Sequence, residues 1–166
     1  MKMLFALVMV FSFITSFLLA NSLELGSPAP QLEVLTDEGI TLDLGEALST
    51  GTALVFFYPK AMTPGCVKQA CSLRDGWDEL QARDVKIFGV SKDTVKTQAQ
   101  FRDKYTLPFT LLADTDRKIA DAFSKPMIRQ AYLFKDGILV WRDLMAATSK
   151  QATDLLAALD ELGPNS

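Results

Sequence analysis

Hydrophobic and polar positions alternate along the chain in blocks that each suit one kind of element. Gln31 to Leu35 and Ile40 to Leu44 flank Asp37-Glu38-Gly39, which predicts a small hairpin. Ala53 to Tyr58 is an unbroken apolar run between Gly51 and Pro59, the pattern of a central strand buried on both faces. Beyond it, Cys66, Ala70, Leu73, Trp77 and Leu80 step by 4, 3, 4 and 3, one face of a helix running to about Arg83. Thr63 fits the N-cap of that helix and Pro64 its first position. Val85 to Ser91 predicts a strand, and Asp93 or Thr94 caps a helix through Tyr105 that Leu107-Pro108 ends. Phe109 to Leu112 predicts a short strand and Asp116 to Phe123 a short helix. Ala131 to Phe134 and Ile138 to Trp141 form a hairpin about Lys135-Asp136-Gly137. Thr148 and Gln151 make a capping-box pattern that opens a last helix, with Ala152, Leu155, Leu156, Leu159 and Leu162 on one face and Gly163-Pro164 as its stop. Alternating strands and helices followed by a terminal hairpin and helix predict an α/β fold, a mixed sheet covered on both faces.

The first twenty residues stand apart. Met1-Lys2 leads into an apolar run from Met3 to Ala20, the form of a secretory signal peptide or an N-terminal anchor. The expected organisation is a leader at 1–20 and one domain at 21–166. The chain is expected to be exported, periplasmic or extracellular, or anchored by residues 3–20. In such a compartment two cysteines are free to cycle through a disulfide.

Composition narrows the chemistry. With 17 basic and 20 acidic residues the formal charge is −3, which argues against nucleic acid or an anionic membrane as partner. The chain contains no histidine, which removes Ser-His-Asp and Cys-His catalysis and most zinc and copper sites. Its two cysteines, Cys66 and Cys71, are too few for a disulfide scaffold or a four-cysteine metal site. No metal or cofactor is expected.

Cys66 falls at the third helical position after a buried strand and a tight turn. Free backbone N–H groups and the positive end of the helix dipole favour a thiolate there, and the thiolate is the nucleophile. Thr63 lies one turn earlier, so its hydroxyl can sit beside the sulfur and hydrogen-bond a bound oxygen. Pro64 removes a donor and shields one side from water. The plainer reading is an inert core cysteine on an apolar helix face.

Thr63-Pro64-Gly65-Cys66, followed by Ala70-Cys71 and Arg74-Asp75, resembles the peroxiredoxins, and most closely their bacterioferritin-comigratory-protein or PrxQ group. The resemblance continues through Gly89-Val90-Ser91-Lys92-Asp93, Phe101, Lys104-Tyr105, Leu107-Pro108-Phe109 and Leu111-Leu112-Ala113-Asp114. It implies a thioredoxin-like fold and a thiol peroxidase acting on hydrogen peroxide and organic hydroperoxides. Cys66 matches the peroxidatic cysteine, which becomes a sulfenic acid, and Cys71 the resolving cysteine, which condenses with it. Thr63, Pro64 and Gly65 match the peroxide-binding turn. Arg129 matches the arginine that completes the pocket, with Arg142, Arg102 and Arg74 as rivals; Arg74 can also pair with Asp78 at i,i+4. Gln69 stands where an acidic residue is usual in the family. The implied partners are the peroxide and a thioredoxin-like or other thiol reductant, and the implied state is a monomer.

With both cysteines in an intact helix, their Cα atoms are about 8.7 Å apart. A disulfide needs roughly 4.4–6.8 Å, so the implied bond requires the helix to open. Two other readings remain. One is an exported thiol-disulfide oxidoreductase or electron-transfer domain on the same fold, although that chemistry normally carries C-x-x-C at the helix start. The other is an interaction module in which the cysteines form a structural bridge.

Overall fold

A computed structural model describes residues 23–126 and 129–163. The leader expected at 1–20 and the helix-stopping Pro164 lie outside the described residues.

The expected α/β architecture is present. The strands are β1 (Glu33–Thr36), β2 (Thr41–Asp43), β3 (Thr52–Phe57), β4 (Val85–Ser91), β5 (Thr110–Ala113), β6 (Gln130–Lys135) and β7 (Ile138–Asp143). They form one mixed sheet in the order β2-β1-β5-β4-β3-β6-β7. β3, β4 and β5 run parallel, while the β3–β6, β6–β7, β1–β5 and β1–β2 pairs are antiparallel. The helices among the described residues are α1 (Leu44–Leu48), α2 (Pro64–Asp75), α3 (Trp77–Ala82), α4 (Val95–Tyr105), α5 (Lys118–Ala122) and α6 (Gln151–Leu162).

β3 organises the interior because its side chains feed two cores. Leu54, Phe56 and Tyr58 point to one face, against Cys66, Ala70 and Leu73 of α2, Phe101 of α4 and Leu155 of α6. Ala53, Val55 and Phe57 point to the other, against Leu44 and Leu48 of α1 and Ile119 of α5. Alternation along a strand sends successive side chains to opposite faces, so a strand covered twice must be apolar throughout.

Three local departures from expectation have physical causes. The helix predicted from Pro64 to Arg83 breaks at Gly76, between α2 and α3. A Cβ at Gly76 would lie 2.8 Å from the Ala152 Cβ, so the break lets the start of α6 press against this backbone. Leu44 starts α1 rather than ending β2, because the Asp43 side chain accepts from Glu46 N–H and caps the turn. The Thr148–Gln151 capping box does not form. Lys150 holds the N-cap position of α6 without a side-chain bond, and Gln151 is fully buried against Gln69.

α5 is held by a buried carboxylate. Asp114 Oδ1 accepts from Ile119 N–H at 2.8 Å and Oδ2 from Ala120 N–H at 2.9 Å. Burial pushes this carboxyl above the usual range, and the two backbone bonds oppose the shift. Asp114→Ala leaves both donors unpaired and is expected to lower stability by about 1–3 kcal/mol in urea unfolding at pH 7.

Candidate active site

Thr63 takes the N-cap position of α2, with extended backbone (φ −78°, ψ 148°), and Pro64 is the first helical residue. Pro64 suits that position because its fixed φ is already helical and no N–H is needed there. Cys66 follows two residues later on the inward face and is fully buried. The Thr63 hydroxyl does not cap the helix and does not bond the sulfur. It donates to the Lys60 carbonyl at 2.9 Å and so closes the turn that precedes α2. Pro64 is exposed at the surface, and Gly65 lies half-buried beside it.

Arg129 reaches this turn through strand register. β6 pairs with β3 antiparallel with Gln130 opposite Phe57, which sets Arg129 at the end of β3 from which the chain leaves toward α2. Its carbonyl accepts from Ala146 N–H at 3.0 Å. Its Nη2 donates to Cys66 Sγ at 3.7 Å. The guanidinium lies across Gly65, where a Cβ would sit 2.3 Å from Nη2. Arg129 Nε is buried with no hydrogen-bond partner among the described residues. The rival arginines are engaged elsewhere. Arg142 donates to the Leu23 carbonyl, Arg102 pairs with Asp37 and Asp103, and Arg74 pairs with Asp75, not Asp78, while donating to the Tyr105 carbonyl.

Cys71 is also in α2, partly buried, and both cysteines are free thiols. Burial pushes the Cys71 thiol up from its ordinary value; the neighbouring Arg74 cation opposes this and Asp75 adds to it. Two residues flanking Cys71 tie α2 to α6. Gln69 Nε2 donates to Gln151 Oε1 at 2.9 Å, and Ser72 Oγ accepts from Ala152 N–H at 3.2 Å. Gln69 is thus a wholly buried helix–helix contact.

A polar network beneath the turn was not foreseen. The Tyr58 hydroxyl bonds Gln98 Oε1, and burial raises this phenol well above the tyrosine range. Gln98 Nε2 donates to Ser91 Oγ at 3.1 Å, and Ser91 Oγ donates to Asp93 Oδ2 at 2.6 Å. Thr94, not Asp93, caps α4. Two adjacent capping residues where one helix needs one was the available signal that Asp93 had another use.

Residues 25–142 match the model of the AhpC/TSA family. Peroxiredoxin Bcp of Bacillus subtilis is 41% identical over 102 residues, 61% of this chain and 64% of that protein. Peroxiredoxin Bcp of Escherichia coli K12 is 41% identical over 103 residues, 62% of this chain and 65% of that protein. The chain therefore matches just under two thirds of the length of these relatives. Among solved structures, a Xanthomonas campestris bacterioferritin comigratory protein, described for its alkyl peroxide reduction activity, superposes with a TM-score of 0.73 at 27% identity, covering 79% of this chain and 91% of that one. The expectation of an exported or anchored chain is corrected by these matches, which group the chain with the Bcp peroxiredoxins. Among the described residues no helix is long and apolar enough to cross a membrane.

In a Cys66→Ser background, alkylation of Cys71 should show a pH midpoint above that of an ordinary cysteine. Adding Arg74→Ala should raise it further, since the cation that favours thiolate is gone while Asp75 remains. A midpoint that falls on removing Arg74 contradicts this electrostatic account.

Proposed function

The chain belongs to the AhpC/TSA family, alongside the Bcp peroxiredoxins, and on that premise we propose that it is a thiol-dependent peroxidase with Cys66 as nucleophile and Cys71 as resolving thiol. The observation that carries this reading is the buried Cys66 sulfur in the first turn of α2, with Arg129 Nη2 at 3.7 Å. Helix-terminal N–H groups and a guanidinium both stabilise negative charge on sulfur, and also the charge that develops on a departing oxygen.

In the first step the Cys66 thiolate attacks the terminal peroxide oxygen. The S–O bond forms and the O–O bond breaks, so that sulfur becomes a sulfenic acid and the alkoxide or hydroxide leaves and takes a proton. Arg129 neutralises the leaving oxygen, while Thr63, Pro64 and Gly65 form the wall against which the peroxide is held. In the second step Cys71 loses its proton and attacks the Cys66 sulfur. The S–S bond forms, the S–O bond breaks, and water is released. A thioredoxin-like or other dithiol then reduces the disulfide. Hydrogen peroxide and organic hydroperoxides are both proposed as substrates. The alkyl peroxide activity described for the Xanthomonas protein supports the second class.

The second step cannot proceed on the closed helix. Both cysteines lie within α2, five residues apart, which in an α-helix separates the Cα atoms by about 8.7 Å. The first turns of α2 must open, breaking the contacts to α6. Opening also exposes Cys71, which relieves the burial that raises its pKa. Thiol-disulfide exchange with protein substrates is not favoured, because the cysteines are spaced C-x4-C rather than C-x-x-C.

Cys66→Ser should abolish peroxide turnover. Cys71→Ser should react once and stop at a sulfenic acid that dimedone traps; normal turnover by either variant contradicts the assignment. Gly65→Ala should fold normally, since the side chain it meets is the flexible end of Arg129. It should nevertheless slow Cys66 oxidation by about a hundredfold, the size expected when a positioned donor is displaced. An unchanged stopped-flow rate would mean that the guanidinium is not part of the reaction.

A further inference from the structure

We infer that Asp93 is a positioning residue for peroxide attack, acting through the Ala61 N–H to hold the turn that carries Thr63 and Pro64. The inference rests on the peroxidase reading above. Asp93 touches none of Cys66, Arg129 or Thr63 in the hydrogen bonds described. Its Oδ2 accepts from Ala61 N–H at 2.7 Å, across 32 residues of sequence.

That bond falls at the strained point of the turn. Met62, the next residue, has φ 65°, a left-handed conformation that a side chain of this size rarely adopts. The turn therefore needs restraint on both sides of Met62. On the near side Ala61 is buried and bound to Asp93. On the far side the Thr63 hydroxyl is bound to the Lys60 carbonyl at 2.9 Å. Releasing Ala61 lets Met62 relax to an ordinary conformation, and Thr63 and Pro64 move with it.

The carboxylate is itself fixed. Ser91 Oγ receives Asp93 N–H at 3.2 Å and Gln98 Nε2–H at 3.1 Å, so its own proton goes to Asp93 Oδ2. Gln98 in turn donates to the Leu112 carbonyl at 2.8 Å and accepts from Tyr58, at the end of β3. Every member has its partners, which makes the network a rigid support. The turn is thereby referenced to β3, β4, β5 and α4 at once.

The experiment compares two reactions of Cys66 in Asp93→Ala. Oxidation by hydrogen peroxide needs the turn in place, whereas alkylation by iodoacetamide needs only a reactive, reachable sulfur. Oxidation is expected to fall by about tenfold or more, as for other small misplacements of a reacting geometry. Alkylation should change much less, and Asp93→Asn should recover most of the oxidation rate, because its amide oxygen can still accept from Ala61. Oxidation of Asp93→Ala within about twofold of the parent overturns the inference, as do equal losses in both reactions. A parent protein inert to peroxide overturns the peroxidase reading and this inference with it, so the two failures are distinguishable. If Asp93→Ala does not fold, Ser91→Ala decides. It should speed exchange of the Ala61 amide and slow peroxide oxidation together, and unchanged oxidation overturns the inference.

Discussion

The antiparallel register of β3 and β6, with Phe57 opposite Gln130, is the constraint on which the candidate site depends. β3 is covered by helices on both faces and cannot shift by one residue without exchanging its two sets of core side chains. The end of β3 is therefore fixed, and with it the start of the turn toward α2. The same register fixes the start of β6 and hence Arg129. A cation and a helix start from distant parts of the chain meet because two strands are locked by packing, and the sulfur of Cys66 lies where they meet.

Two demands on α2 pull against each other. On the proposed mechanism, peroxide attack needs the helix formed, with Cys66 buried at its first turn and Arg129 across Gly65. The proposed disulfide between Cys66 and Cys71 needs the same turns open. The contacts that oppose opening are visible: Leu73 and Ala70 in the core, the Gln69–Gln151 amide pair, and Ser72 with the Ala152 N–H. Helices are stabilised mainly by such tertiary contacts rather than by intrinsic propensity, so the start of α6 is placed to influence how readily α2 opens.

Much of the fold was legible in the chain because the signals were local. β3 declared itself by an apolar run bounded by Gly51 and Pro59, and α2 by Thr63-Pro64 ahead of a 4-3-4-3 spacing. What could not be read was set by partners remote in sequence. The apolar spacing continues through Leu80, so nothing in it marks the break at Gly76, where Ala152 of α6 packs against the backbone. Gln151 looked like a cap because Thr148 precedes it, yet its partner is Gln69. Arg129 was legible by its match, with Arg142, Arg102 and Arg74 as rivals, but the partners of those rivals were not, because they come from remote parts of the chain. The apolar run at residues 3–20 predicted export or anchoring, an expectation that the match to the Bcp peroxiredoxins contradicts.

The central claim is that peroxide oxidises Cys66 and that Cys71 completes the reaction within the same chain. Fully reduced protein exposed to one equivalent of hydrogen peroxide, then digested and examined by mass spectrometry, tests it most directly. The account predicts complete loss of free thiol, one peroxide consumed per chain, and a Cys66–Cys71 linked peptide lighter by two hydrogen atoms. Two thiols still free after the peroxide has been in contact with the protein, or a disulfide only between chains, would contradict it.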